Sequence, residues 1–88
     1  MDKDAVIAKI KELIVASLEL EDVSPADIST DDALFGEGLG LDSIDALELG
    51  MALRKAFGVT FSKDPAANRK IFASVATLAD FITGGNND

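Results

Sequence analysis

Residues 39–53 have the sequence LGLDSIDALELGMAL, and this segment decides how the rest of the chain is interpreted. It follows a glycine-bearing loop, and either Asp42 or Ser43 can cap a helix that begins here. Asp45 lies in the first turn, where a carboxylate suits the positive end of the helix dipole. The segment therefore predicts a helix over residues 43–57.

Three other stretches also predict helices. Apolar residues spaced three and four apart indicate an amphipathic helix over residues 4–20. Asp64-Pro65 is a cap followed by proline at the first helical position, which predicts a short helix to about Lys70. Ser74 can cap a last helix that ends at Gly84-Gly85.

The connection over residues 21–41 lacks a sustained period, yet its apolar side chains are numerous enough to pack against a core. We predict an ordered loop here, with a short helical turn near Pro25–Asp27. The predicted fold is all-α: a small four-helix bundle, with three longer helices and one short, over residues 1–83 and a frayed tail at 84–88. The predicted core comprises Phe35, Leu47, Leu53, Phe57, Phe61, Ile71, Phe72 and Val75.

Composition narrows the chemistry, because the 88 residues include no histidine and no cysteine. Disulfide bonds and Ser-His-Asp or Cys-His constellations are excluded, and the side chains most used for metal sites are missing. A calcium-binding loop beginning at Asp27 also fails, since Asp32 stands where such a loop requires glycine. We therefore expect no metal site and almost no catalytic equipment in the chain itself.

The net charge of −8 is unevenly distributed. Residues 12–53 contain eleven acidic residues and no basic one. A solvated face is the usual explanation of an acidic run, and a docking surface for basic partners would explain why so much self-repulsion is tolerated. The charge argues against nucleic acids and anionic membranes as partners. No segment approaches the roughly 20 apolar residues needed to span a bilayer, and the N-terminus lacks the signal-peptide pattern, so we expect no membrane insertion.

The segment from Leu39 to Leu53 closely resembles the acyl carrier proteins. Their signature is an Asp-Ser-Leu triplet at the start of the second helix, which here is Asp42-Ser43-Ile44. The resemblance covers nearly the whole chain, from the first helix and long loop to the fourth helix. Phe35 also falls where the family commonly has a core aromatic residue.

The resemblance implies that Ser43 carries a covalent 4′-phosphopantetheine arm, which a phosphopantetheinyl transferase donates from coenzyme A. The arm's thiol holds acyl groups as thioesters for fatty-acid synthesis or related pathways, so the chain is a carrier and not an enzyme. It also implies a cytoplasmic monomer. A plain N-cap serine is the alternative for Ser43 taken by itself.

Four residues around the serine match family positions that contact partners: Asp42, Ile44, Asp45 and Glu48. The implied partners are the transferase and basic-surfaced synthases and acyltransferases. For the acids, favourable charge at a helix N-terminus is the alternative. In the family the core can open to shelter an acyl chain, and the candidates here are Phe35, Leu53, Phe61 and Ile71.

The chain departs from the family at the end of the second helix. Arg54 and Lys55 are basic where many fatty-acid carriers remain acidic, and the segment 61–75 is longer than usual and includes Arg69-Lys70. Cations simply suit a helix C-terminus, which is one explanation. The other is a specialised carrier for polyketide, aminoacyl or lipid-modification pathways. A rival from a different class is an unmodified acidic helical interaction module.

Overall fold

A computed structural model describes residues 2–35, 43–61 and 64–84. These residues form four α-helices and one short 3₁₀ turn, with no strand among them. In chain order the elements are α1 (Lys3–Ser17), the 3₁₀ turn (Pro25–Asp27), α2 (Ser43–Phe57), α3 (Pro65–Ile71) and α4 (Val75–Thr83). The predicted all-α fold is confirmed, with three longer helices and one short, and so is the turn in the long loop.

Side-chain caps fix where three of the helices begin. The Asp2 carboxylate accepts a hydrogen bond from the Ala5 N–H at 2.8 Å, which starts α1. The two predicted caps are confirmed: Asp64 accepts from the Ala66 N–H at 3.1 Å, and Ser74 Oγ accepts from the Thr77 N–H at 3.2 Å. Each bond satisfies one of the amides that a helix N-terminus leaves without an intrahelical acceptor.

α1 ends at Ser17, three residues before the predicted boundary. Glu19 adopts a left-handed backbone conformation with φ of 51°. The Leu20 N–H then reaches back to the Val15 carbonyl at 3.1 Å, which is the hydrogen bond of a Schellman stop. The sequence predicted too long a helix because this kind of stop usually depends on glycine, whereas here a glutamate adopts the left-handed conformation.

The core forms where α1 packs against α4 on one side and α2 on another. Each of these three helices contributes fully buried aliphatic side chains, and the long loop adds Ile28 and Leu34. Two backbone hydrogen bonds hold the loop down: Leu34 N–H to the Ala73 carbonyl at 3.0 Å, and Ala76 N–H to the Thr30 carbonyl at 2.9 Å. The loop is therefore ordered as predicted through Phe35, and its remainder at 36–41 lies outside the described residues. The helical part of this core comprises Val6, Ile10, Ile14, Leu49, Leu53, Val75, Leu78 and Ala79.

One predicted core residue is wrong. Leu47 is 65% exposed, whereas Leu49 and Leu53 are fully buried. Two residues along a helix correspond to about 200° of rotation, so Leu47 and Leu49 lie on nearly opposite sides of α2. The other seven predictions hold to different degrees. Leu53, Phe72 and Val75 are buried, and the four that pack half-buried against the core are Phe35, Phe57, Phe61 and Ile71.

Of the predicted tail at residues 84–88, the structure describes only Gly84. Gly84 is the C-cap of α4, and its N–H donates to the Asp80 carbonyl at 3.0 Å. Residues 85–88 lie outside the described residues, so the frayed tail stays a prediction. Gly58 directly follows α2 and has a positive φ of 70°, which agrees with its predicted role in ending that helix.

Candidate functional site

Ser43 is the first residue of α2 and so lies at the positive end of a 15-residue helix. The first amides of a helix have no intrahelical acceptor, and together with the dipole they favour an anion bound nearby. A phosphate ester on the Ser43 hydroxyl fits this position chemically. The Ser43 side chain and the whole of Asp42 lie outside the described residues, so the role predicted for Asp42 stays a prediction.

An exposed apolar stripe follows the serine along α2. Ile44, Leu47 and Met51 are 68%, 65% and 61% exposed, the large apolar side chains most open to solvent among the described residues. Their spacing of three and four places them on one side of the helix. We call them the apolar stripe. Of these three residues, the sequence predicts only Ile44 as a partner contact, and Leu47 and Met51 were missed.

A signal for the missed residues was present in the sequence. The apolar residues of α2 fall into two sets with separate helical periods, one at 44, 47 and 51 and the other at 49, 53 and 57. A single buried stripe would need only one of these sets. The structure buries or half-buries the second set and exposes the first.

Charged residues flank the apolar stripe and change sign along the helix. Near Ser43, Asp45 is half-exposed and Glu48 is exposed. In the last turn Arg54 and Lys55 are both exposed, and neither forms an ion pair within the described residues. We call the apolar stripe together with these four charges the α2 face. It is acidic beside Ser43 and basic at its far end.

The four acyl-pocket candidates contribute to one apolar cluster. Leu53 is fully buried in it, and Phe35, Phe61 and Ile71 pack half-buried against it. Phe72, which was predicted as a core residue and not as a pocket candidate, is buried in the same cluster. The described structure thus brings the candidates together, while whether they shelter a ligand stays a prediction.

Three phenylalanine rings contact one another at this cluster, tilted in one pair and stacked in the other. The ring centroids of Phe61 and Phe72 are 4.9 Å apart, and those of Phe61 and Phe81 are 5.3 Å apart. The Phe72 ring also lies against α2 at Gly50, where a Cβ would be 3.5 Å from Phe72 Cζ. Aromatic contacts of this geometry add stabilisation beyond that of their buried area.

A shallow open groove lies elsewhere, between α1 and the 3₁₀ turn. Its lining includes Ile7 and Ala8 from α1 and Pro25 and Ala26 from the turn, but no residue of α2. The turn is closed by Asp27, whose carboxylate accepts from the Ser24 N–H and Oγ, both at 3.0 Å. These hydrogen bonds, first the backbone one, lower the pKa of Asp27. The bonds identify Asp27 as a structural cap.

Two features are absent from the part of the chain that the structure describes. No group of three or more Asp or Glu side chains there is arranged to hold a metal ion. Likewise, none of the helices in the described part of the chain combines the length and the apolar character that crossing a bilayer requires.

Known proteins are similar to this chain over most of its length. The profile of the family described as "Phosphopantetheine attachment site" matches residues 8–82. The acyl carrier protein of Onion yellows phytoplasma (strain OY-M) is 41% identical over 78 residues, covering 89% of this chain and 93% of the relative. That of Phytoplasma australiense is 44% identical over 70 residues, covering 80% and 87%. That of Petrotoga mobilis (strain DSM 10674 / SJ95) is 33% identical over 78 residues, covering 89% and 87%.

These matches extend over most of both chains, and the chain therefore belongs to the acyl carrier protein family. Its prosthetic group is 4′-phosphopantetheine.

Proposed function

We propose that Ser43 carries the phosphopantetheine arm and that the chain presents acyl groups, held as thioesters on that arm, to acyl-processing enzymes. The observation that carries the proposal is the position of Ser43 at the first residue of α2, beside an exposed apolar stripe. The helix N-terminus favours the phosphodiester, and the stripe offers a surface for the enzymes that load and use the arm.

Attachment of the arm transfers a phosphopantetheinyl group from coenzyme A to the serine. The Ser43 oxygen forms a bond to the phosphorus next to the pantetheine of coenzyme A, and the bond to the bridging pyrophosphate oxygen breaks. Adenosine 3′,5′-bisphosphate leaves, and the serine proton passes to a base on the transferase. The carrier supplies only the hydroxyl and the local positive potential, which agrees with a chain that has no histidine or cysteine.

Once attached, the arm supplies a thiol for acyl groups, and the protein supplies position and recognition. The chain is in this proposal a carrier and not an enzyme. We place this activity in the cytoplasm, where coenzyme A and the transferase would both be available.

The α2 face supports a partner of defined chemistry. Asp45 and Glu48 suit a basic patch on the transferase and on acyl-processing enzymes, and Ile44, Leu47 and Met51 suit an apolar depression beside it. Complementary charge raises the rate of encounter and fixes the register more than it raises affinity. That balance suits a shuttle, which has to release each enzyme.

The basic end of the same face supports a specialised pathway over general fatty-acid synthesis. Arg54 and Lys55 are exposed and without ion pairs within the described residues, so they are available to a partner. An enzyme that fits this face would carry acidic groups opposite the last turn of α2. Polyketide, aminoacyl and lipid-modification enzymes are the candidate partners.

Protein isolated from its native cells tests the proposal. The intact mass should exceed that of the chain by one phosphopantetheine, with an acyl group that neutral hydroxylamine removes. Identification of the released acyl group separates fatty-acid, polyketide and aminoacyl cargo. A protein recovered only at the mass of the bare chain would instead favour an unmodified interaction module.

A further inference from the structure

The charges of the α2 face are not neutralised within the chain. Glu48 and Lys55 are both exposed on one side of α2 but lie two turns apart, beyond the three- or four-residue spacing at which side chains pair along a helix. Among the described residues, neither of them nor Arg54 forms an ion pair. Groups of opposite charge are therefore available at the two ends of one face, with the apolar stripe between them.

We propose that the α2 face is a self-association surface, which a second copy of this chain covers in antiparallel orientation. The argument is charge complementarity: reversing the direction of the face exchanges its acidic and basic ends. A second copy, turned end to end, therefore offers the order of charge that the first copy requires. The inference goes beyond the proposed function and does not depend on modification of Ser43.

A two-fold axis beside Met51 satisfies both ends at once. Glu48 lies three residues before Met51 and Lys55 four residues after it, so the rotation brings Glu48 of each copy opposite Lys55 of the other. Both ends then gain the same pair, as an interface of this symmetry requires. A parallel arrangement would instead place acid against acid and base against base.

The apolar stripe supplies the middle of this interface. Ile44, Leu47 and Met51 are 68%, 65% and 61% exposed, and exposed apolar groups clustered on one side of a helix mark an interaction surface. The surface is small, because one helix of 15 residues is only about 22 Å long and offers less than the roughly 800 Å² per partner of a stable complex. We therefore expect a dissociation constant on the order of 0.1 to 1 mM, so the chain stays a monomer at micromolar concentration.

The net charge opposes association, since each copy carries −8. This repulsion acts over long distances and is largely screened beyond about 8 Å at about 0.15 M salt, whereas charges in contact are screened less. Self-association should therefore be seen at moderate salt and weaken at very low salt. Because the same face serves the enzymes of the proposed function, a paired copy is withheld from them.

The experiment is a charge exchange in the unmodified chain. The acidic variant is Arg54→Glu with Lys55→Glu, the basic variant is Asp45→Lys with Glu48→Lys, and the exchanged variant combines all four substitutions and keeps the net charge of −8. Glu21→Lys with Asp22→Lys is the matched control, because it changes the net charge as the basic variant does but lies in the long loop. Circular dichroism checks that every variant is folded.

Self-association is followed at about 0.15 M salt and from about 20 µM to about 2 mM protein, by sedimentation equilibrium and by the amide NMR signals of α2. The unaltered chain, the exchanged variant and the loop control should associate alike. The acidic and basic variants should each associate at least about tenfold more weakly, because like charges then face one another at both ends.

Mixtures test the antiparallel orientation. Isotope-labelled acidic variant should shift its α2 signals when unlabelled basic variant is added, because the two faces are complementary. Labelled unaltered chain should not respond to the exchanged variant, since an antiparallel pair of these two would place like charges together. A response in that second mixture would show a parallel arrangement and overturn the proposal.

Two further results would also overturn it. One is the absence of any concentration dependence in the unaltered chain up to about 2 mM, which would leave the α2 face to partner enzymes alone. The other is equal weakening by the loop control and the basic variant, which would assign the effect to total charge. Neither result bears on attachment of the arm at Ser43, because all of these measurements use the unmodified chain.

Discussion

Glu48 and Lys55 lie on the same side of α2, two turns apart, and carry opposite charges. Seven residues of helix separate them by roughly 10 Å along the axis, and both side chains are exposed. Met51 lies between them at 61% exposure. The α2 face therefore has an acidic end, an apolar middle and a basic end, and it favours partners with the reverse order of charge.

Reversal of the acidic end should slow attachment of the arm. We expect Asp45→Lys with Glu48→Lys to lower the rate of loading by a phosphopantetheinyl transferase by about tenfold at low salt, because electrostatic steering is lost. The difference should shrink as salt rises. The measurement is the initial rate of mass gain at several ionic strengths.

Glu21→Lys with Asp22→Lys is the matched control, since both residues are exposed in the long loop and the net charge changes by the same amount. Equal slowing by the control pair would mean that total charge, and not the acidic end of α2, governs the encounter. No slowing by either pair would contradict a role for Asp45 and Glu48.

Reversal of the basic end should broaden the choice of partner enzymes. Arg54→Glu with Lys55→Glu removes the feature that distinguishes this α2 face from one that is acidic throughout. We expect acyl transfer by fatty-acid synthase components to rise by about threefold to tenfold at low salt. The double variant also loses two cations that stabilise the helix C-terminus, and each loss should cost about 0.3 to 1 kcal/mol of stability. Activity is therefore compared at a temperature where both proteins are folded.

Arg69→Glu with Lys70→Glu is the companion variant, because these residues are equally basic and exposed but lie in the last turn of α3. It should leave transfer by the same components nearly unchanged. No gain in the α2 variant would count against a specialised partner.

The two apolar sets of α2 should differ in their effect on stability. Leu47→Ala and Met51→Ala should each change the free energy of unfolding by no more than about 0.5 kcal/mol, since neither side chain is buried. Leu53→Ala should cost about 2 to 5 kcal/mol, because it leaves a cavity in the core. Urea unfolding followed by circular dichroism checks all three. A large loss of unfolding free energy in Leu47→Ala would show that Leu47 is buried in the core and contradict this prediction.

The cap at Asp27 should make a small part of the stability depend on pH. Its pKa is lowered in the folded chain by the Ser24 N–H and hydroxyl, so its contribution is present above the usual aspartate range. That contribution is lost as pH falls through the lowered pKa. We expect Asp27→Asn to be less stable than the unaltered chain at neutral pH, with the difference vanishing in acid.

The comparison is made by thermal unfolding at a series of pH values. Asp31→Asn, at an exposed residue of the same loop, should show no such pattern. A difference between Asp27→Asn and the unaltered chain that stays constant down to strongly acidic pH would contradict this role of the carboxylate.

The helices could be predicted because local chemistry determines their boundaries. Asp64-Pro65 and Ser74 are local caps, and Gly58 is a local stop, so α2, α3 and α4 begin or end close to the expected residues. The end of α1 could not be predicted in the same way. Glu19 has no local preference for a left-handed conformation, and the stop depends on the long-range packing around Leu20.

The site was predicted less completely, for a physical reason. Hydrophobicity alone does not say which side of α2 faces α1, and Leu47 was assigned to the core on its apolar character. The contact between Gly50 and Phe72 could not be foreseen either, because it joins two residues far apart in sequence. Both depend on how the helices pack, which the periodicity of a single helix does not define.

The central claim is that Ser43 receives the arm, and mapping the modified residue tests it most directly. The unmodified protein is incubated with coenzyme A and a broad-specificity transferase, then weighed intact and digested for peptide mapping. We predict the gain of one phosphopantetheine per chain, on Ser43, with none in Ser43→Ala and full gain in the exposed control Ser29→Ala. No gain with several transferases, or a gain that persists in Ser43→Ala, would contradict the claim.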